Sequence, residues 1–182
     1  MVIAIIGIFG ALSIPSISES QKRNQINEIV NEIESQTQLA LLEAKTFNHP
    51  IILIWWGDHD QWPQGLQRGK IENQKWIPLG KAWVFPPGID FYREEGYSTL
   101  IEALQTQDLK QTLTNFEKPV FKIMEVYPSG RLKFLNSKIN RNQELTLTLG
   151  LRSDLIKKET KKMIFYSIHV ETGKFVLMGD KN

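Results

Sequence analysis

The first 48 residues leave this chain few ways to fold. Residues 2–17, VIAIIGIFGALSIPSI, carry no charge and would set apolar side chains on every side of a helix, and they run without a loop into a polar stretch that keeps helical spacing. A helix apolar all round suits hydrocarbon, because lipid can solvate neither a charge nor an unpaired peptide group. From residue 18 the apolar positions thin to Ile26, Ile29, Val30, Ile33, Thr37, Ala40, Leu41, Ala44 and Phe47, in steps of three and four. Those steps make one stripe and predict a face buried against a protein core. Between them Asn24, Gln25, Asn27, Glu28, Asn31, Glu32, Ser35, Gln36, Gln38 and Glu43 are expected to face water. Neither Gly nor Pro interrupts residues 16–48, and His49-Pro50 predicts the stop, since the residue before a proline is pushed out of the α region. Roughly 45 residues at about 1.5 Å each make a rod about 70 Å long, which must project from any small domain it belongs to.

Beyond the stop the pattern changes from helix to strand. Residues 50–56 (PIILIWW) are almost wholly apolar and predict a central strand covered on both faces, one of them by the helix stripe. Residues 57–69 are rich in Gly, Pro and Asp and read as a loop. Short strands are expected at residues 75–79, 81–85 and 89–92, then one or two short helices within residues 97–116, with Ser98 as N-cap and Glu102 near the first turn. Residues 119–127 and 131–135 flank Pro128-Ser129-Gly130 as a hairpin, residues 144–151 alternate Leu and Thr as a strand with one wet face, and residues 162–170 and 174–178 close the chain as a second hairpin. The expected fold is α+β: a long N-terminal helix, membrane-embedded and then amphipathic, packed on an antiparallel sheet. Its parts are a membrane or bundle segment at 1–17, an amphipathic continuation at 18–48 and a globular β-rich head at 49–182.

Composition removes several kinds of chemistry. With Lys+Arg 22 against Asp+Glu 20 the net charge is +2, so no general polyelectrolyte character points to nucleic acid. The absence of Cys removes disulfides, thiolate metal sites and cysteine nucleophiles together. Asp58, His59 and Asp60 form the one close His/carboxylate cluster, and adjacent loop residues cannot all point at one ion, so a solvated turn is the simpler reading. His49 is accounted for by the helix stop and His169 by a strand. No Ser/His/Asp order, phosphate-cradling glycine loop or HExxH occurs, so neither an enzymatic activity nor a cofactor or metal is expected. Trp55, Trp56, Trp62, Trp76 and Trp83 crowd the first half; core packing under the helix is expected for Trp55 or Trp56, which must face opposite sides of one strand, with a docking patch as the alternative. Arg152, Lys157, Lys158, Lys161 and Lys162, opposed by Asp154 and Glu159, make a local basic excess, read as a solvated loop or as a candidate nucleic-acid contact. Lys22 and Arg23, just past the apolar run, are placed to touch anionic head groups.

The apolar start admits three readings. A secretory signal would carry a basic region before its apolar core, and only Met1 precedes Val2. A complete membrane helix needs about 20 apolar residues to cross about 30 Å. Residues 2–17 fall short of that and include Gly7, Gly10, Ser13 and Pro15, so a membrane segment lacking its first turns fits best.

The stretch VIAIIGIFGALSIP, Val2 to Pro15 with Gly7 and the helix-kinking Pro15, resembles the N-terminal signature of type IV pilins and type II secretion pseudopilins. In that signature a glycine-ended leader is followed by phenylalanine, a glutamate and an apolar run. The leader, the cleavage glycine, the methylated first residue and the glutamate are not in this sequence, and an in-frame leader followed by a glutamate is expected upstream of Met1. LALLEAKTFNHPIILIW (39–55), VYPSGRLKF (126–134) and IHVETGKFVL (168–177) are similar to the helix end, middle hairpin and closing hairpin of H-type minor pseudopilins. The resemblance leaves residues 97–116 unexplained, as an insertion.

The resemblance implies a structural subunit, a minor pseudopilin of a type II secretion system acting in protein export across the outer membrane. Val2, Ile3, Ile5, Ile6, Gly7, Ile8, Phe9, Leu12, Ile14 and Pro15 would form the membrane and filament helix. Its partners would be other pseudopilins or pilins through that helix, inner-membrane lipid and the assembly platform of the secretion system. It would cross the inner membrane once, with its head in the periplasm. The alternative is a minor pilin of a pilus or competence apparatus that binds DNA through the basic residues at 152–162.

Overall fold

The computed structural model of the chain describes residues 2–56, 65–92, 94, 96–103, 120–133, 145–169 and 174–178, with side chains from Ser20 onward except at 120–122 and 160. One helix, α1 (Val2–Phe47), takes up the first quarter of the chain and passes through Pro15 without a break. It ends where the sequence places the stop, by a device that the proline does not supply. Asn48 adopts a left-handed conformation (φ 49°), and the His49 N–H reaches back to the Ala44 carbonyl at 3.2 Å, a Schellman-type closure that satisfies an otherwise orphaned helix carbonyl.

The expected antiparallel sheet is divided into two. In the first, β1 (Ile51–Trp56) lies between β2 (Gly65–Glu72) and β6 (Val120–Val126). The strand β3 (Lys75–Pro78) extends the sheet beyond β2, β4 (Trp83–Val84) pairs with the start of β2, and β7 (Leu132–Lys133) pairs with β6. The second sheet runs β10 (Lys174–Leu177), β9 (Ile164–His169), β8 (Leu145–Leu151), β5 (Ile89–Phe91). Three short helical turns decorate it: α2 (Thr99–Ala103), α3 (Arg152–Ile156) and a 3-10 turn at Thr160–Lys162. The remainder of the expected 97–116 helical segment lies outside the described residues, as do Asp58, His59, Asp60, Trp62 and the turn at 171–173.

Residues 65–69 correct the reading of 57–69 as a loop: they belong to β2. The glycines that suggested punctuation are there for indoles. A side chain at Gly65 would meet the Trp56 ring and the Trp83 carbonyl at 2.3 Å, and one at Gly69 would meet the Trp76 ring at 2.5 Å. Glycine in a strand marks a close approach as often as a turn.

Alternation along β1 divides the core. Ile51, Leu53 and Trp55 face α1 and join one cluster with Ile26, Ile29, Val30, Ile33, Ala40 and Ala44 of the helix and with Leu147, Leu149 and Ile168 of the second sheet. Trp55 is fully buried there, edge-on to Phe85 and Phe91 at 6.1 and 6.2 Å between centroids. Ile54 and Trp56 point to the other face and pack with Trp76 and Ile123. The two tryptophans thus serve opposite sides, as their adjacency in a strand demands. Two expectations need correcting. Phe47 is 49% exposed, beneath the Lys70 ammonium at 5.3 Å, because it is the last residue of the helix and lies beyond the sheet's cover. The Thr face of β8 is not wet: Thr148 is buried, its Oγ1 donating to the Tyr97 carbonyl and its N–H donating to Ser98 Oγ. Ser98 does stand at the N-cap position of α2, with the Ile101 N–H on its carbonyl, but its hydroxyl is engaged by β8.

Candidate functional site

The helix is the first part of the site. Among the side chains described, from Ser20 onward, the first that is buried is Ile26, about 24 residues or about 36 Å along the helix. Val2, Ile3, Ile5, Ile6, Gly7, Ile8, Phe9, Leu12, Ile14 and Pro15 all lie in this leading part of α1, and their side chains are outside the described set. Among the described residues no helix is long and apolar enough to cross a membrane.

Polar pins fix the second half of the helix to both sheets. Arg68 of β2 donates from Nε to Glu43 Oε2 at 2.9 Å, from Nη1 to Gln36 Oε1 at 2.5 Å and from Nη2 to the Leu79 carbonyl at 3.1 Å. Gln36 in turn donates to Glu32 Oε1 at 2.7 Å. Gln36 is therefore buried, against the expectation that it faces water. On the other side the Tyr166 hydroxyl donates to Asn27 Oδ1 at 2.6 Å, and the Phe175 N–H to Glu34 Oε2 at 3.4 Å. Burial raises the Tyr166 hydroxyl above its ordinary pKa, which keeps it a donor. Sequence reasoning missed the Arg68 pin. Its trace was present in Glu32, Gln36 and Glu43, which step by four and seven along one side of the stripe.

The structure separates the five basic residues of the 152–162 segment. Arg152 Nε is paired with Asp90 Oδ2 at 2.7 Å and Lys158 Nζ with Glu94 Oε1 at 2.5 Å, tying α3 and its following turn to the β5 side. The Lys158 ammonium, with help from the Tyr92 hydroxyl, holds the Glu94 carboxyl below its ordinary value, and Glu94 raises Lys158 in return. Lys157 is exposed. Lys161 and Lys162 turn the other way, toward α1. With Lys22 and Arg23 of the helix they line a cleft of about 120 Å³, backed by Ile26, Leu151 and Ile164 and bearing one carboxylate, Asp154. Lys162 also pairs with Glu159, which lowers the Glu159 carboxyl. Two basic pairs 139 residues apart in sequence, Lys22-Arg23 and Lys161-Lys162, meet in one place. What joins them is the packing of α1 against the second sheet, which no local pattern encodes.

Among the described residues no three His, Cys, Asp or Glu side chains gather as metal ligands.

A long N-terminal helix laid on antiparallel strands has counterparts of known structure. The type IV minor pilin FimU of Pseudomonas aeruginosa strain PAO1 superimposes with a TM-score of 0.51 over 88% of this chain and 92% of that one, at 16% identity. The fold is pilin-like. The minor pseudopilin EpsH from the type 2 secretion system of Vibrio cholerae also matches, with a TM-score of 0.46, 13% identity, and coverage of 86% of this chain and 98% of that one. No protein-family model matches the sequence, and no curated protein matches it. In this pilin-like chain the basic cleft lies where the helix enters the head.

Proposed function

We propose that this chain is a non-enzymatic structural subunit of a type IV pilin-type assembly, and that within that class it is a minor pseudopilin of a type II secretion system. The observation that carries the reading is the continuity of α1: one helix of 46 residues that packs on the head from Ile26 to Ala44 and leads with an uncharged apolar run at residues 2–17. Residues 1–17 then act as the lipid and filament segment, 18–48 as the amphipathic shaft, and 49–182 as the head, held outside the cytoplasm with the helix crossing the inner membrane once. A surface apolar on all sides is equally at home in hydrocarbon and among neighbouring helices. Moving from membrane into a filament therefore need not expose it to water. Gly7 and Gly10 permit close helix approach, and the partners are other pseudopilins together with the secretion system's assembly platform.

The secretion-system reading draws its support from the H-type hairpin motifs at 126–134 and 168–177. A minor pilin of a pilus is the second reading, supported by the fold likeness to a type IV minor pilin. One experiment addresses both. The chain has no cysteine, so Ile8→Cys or Leu12→Cys, each combined with a cysteine introduced into the N-terminal helix of a co-expressed pilin-like subunit, supplies a defined pair of thiols for oxidant-driven disulfide capture in the native host. Crosslinks to another pilin-like subunit are expected, and their absence at both positions would overturn the filament reading. Deleting the gene is expected to stop export of secreted proteins and leave surface pili intact. Loss of pili with export unchanged would select the second reading.

A further inference from the structure

We propose that the cleft formed by Lys22, Arg23, Lys161 and Lys162 binds the phosphate of an anionic phospholipid, seating the head on the membrane surface. The inference rests on the reading of residues 2–17 as a membrane segment. Four cations set against Asp154 in the lining and Glu159 on Lys162 leave the cleft with a net positive charge, and its floor of Ile26, Leu151 and Ile164 is apolar. Its depth follows from the helix. Lys22 is five residues past Ile17, the last residue of the apolar run, and at about 1.5 Å per residue that is about 8 Å along the axis. A bilayer's head-group layer is about 5–8 Å thick on each side of its hydrocarbon. The cleft therefore falls level with lipid phosphates whenever residue 17 ends at the hydrocarbon edge.

A lipid fits the arrangement better than duplex DNA. A duplex presents a row of phosphates and is gripped by a row of cations. Here Arg152 and Lys158 are drawn away to Asp90 and Glu94, so the basic segment offers no such row. Lys161 and Lys162, the latter also paired with Glu159, converge instead with Lys22 and Arg23 on one cleft, sized for one phosphate group and its immediate surroundings, on the side of the head from which the helix departs. Lysine and arginine near an anionic surface each contribute attraction that falls away within a Debye length.

The test uses the full chain reconstituted in phosphatidylcholine vesicles containing phosphatidylglycerol. Spin-labelled versions of the two lipids report, by electron paramagnetic resonance, how much of each is motionally restricted by the protein. The expected result is a preference of about fivefold for phosphatidylglycerol at low salt, collapsing at high salt. It should drop partway in K22Q/R23Q and in K161Q/K162Q and vanish in the fourfold variant. K75Q/K81Q/R131Q, which removes exposed charge elsewhere on the head, should keep it. Thermal unfolding of each variant checks that the head is intact; should the fourfold variant fail to fold, the two double variants carry the comparison. Equal restriction of both lipids by the native chain overturns the inference and leaves the membrane reading standing. No restricted component from either lipid overturns the membrane reading itself. A preference lost equally in the control variant reduces it to general charge and overturns the site. Duplex DNA retarded by the chain through these same four residues, without any lipid preference, would assign the cleft to nucleic acid and overturn the lipid proposal.

Discussion

Gly65 and Gly69 carry more of the head's geometry than their lack of a side chain suggests. Trp56 pairs directly across from Gly65, and its indole occupies the space a Cβ would take, while Trp76 does the same at Gly69. At Gly65 the second obstacle is the Trp83 backbone carbonyl, which cannot swing aside as a side-chain end can. Gly65→Ala should therefore destabilise the head by about 1–3 kcal/mol, the usual range for forced overpacking, read as a lowered midpoint in urea with an unchanged slope. Arg68 gives a second prediction. Its side chain is 12% exposed and that of Glu43 is 20%, so the pair is mostly but not wholly desolvated. Breaking a buried pair by truncating one partner costs about 3–5 kcal/mol, and with this residual exposure Arg68→Ala should cost roughly 2–3 kcal/mol. Replacing both partners, in R68L/E43L, should recover much of that loss, because no charge is then left stranded. If R68A and R68L/E43L prove equally unstable, the pin contributes through packing and not charge. At this level the sequence was legible for residues that follow a period and opaque for those that answer a distant partner. Ile26, Ile29 and Ile33 announce themselves by spacing. Arg68 acquires its meaning only when α1 is laid beside β2.

Elements whose period runs unbroken were read at nearly their observed bounds. The apolar run that becomes β1, the Leu/Thr alternation of β8 and the closing strands are all recoverable from residue order. β2 was not, because its two glycines mimic a loop, and the division into two sheets was not, because pairing partners are chosen by the fold. The joint between α1 and the second sheet provides a pH-dependent test. The Tyr166 hydroxyl donates to Asn27, and its pKa is raised by burial. A raised folded pKa means that the unfolded chain ionises first, so the stability linked to this group is complete below about pH 10 and declines as pH rises through the folded value. Tyr92, raised chiefly by its own burial and further by the neighbouring Glu94, adds to the same alkaline decline. Tyr166→Phe should cost about 1 kcal/mol at neutral pH through the lost hydrogen bond and should shrink the alkaline decline to the share of Tyr92. An unaltered alkaline limb in the Tyr166→Phe variant, measured by urea unfolding between pH 8 and pH 11, would mean that this hydroxyl is not held where the structure has it.

On the proposed reading the molecule combines a head completed by the second half of the helix with a leading part given over to lipid and filament. Its described helical core contacts begin at Ile26 and continue through Ala44, where Ala40 and Ala44 bring the helix backbone close to the sheet and are fully buried. If residues 2–17 are the lipid and filament segment proposed above, removing residues 2–19 should leave a folded head whose thermal midpoint lies within a few degrees of the parent's, a shift of 1 kcal/mol moving a domain of this size by only about 2–4 °C. Removing residues 2–37 should abolish folding. That deletion takes away Ile26, Ile29, Val30 and Ile33, each worth about 1.5–3 kcal/mol of buried apolar surface, which together approach the whole margin by which domains are stable. The contrast is specific to a shaft that is structural in one half and free of the head in the other. If the shorter deletion unfolds the head as thoroughly as the longer one, residues 2–19 are part of the head's own core, and a helix so committed could not also serve a membrane or a filament.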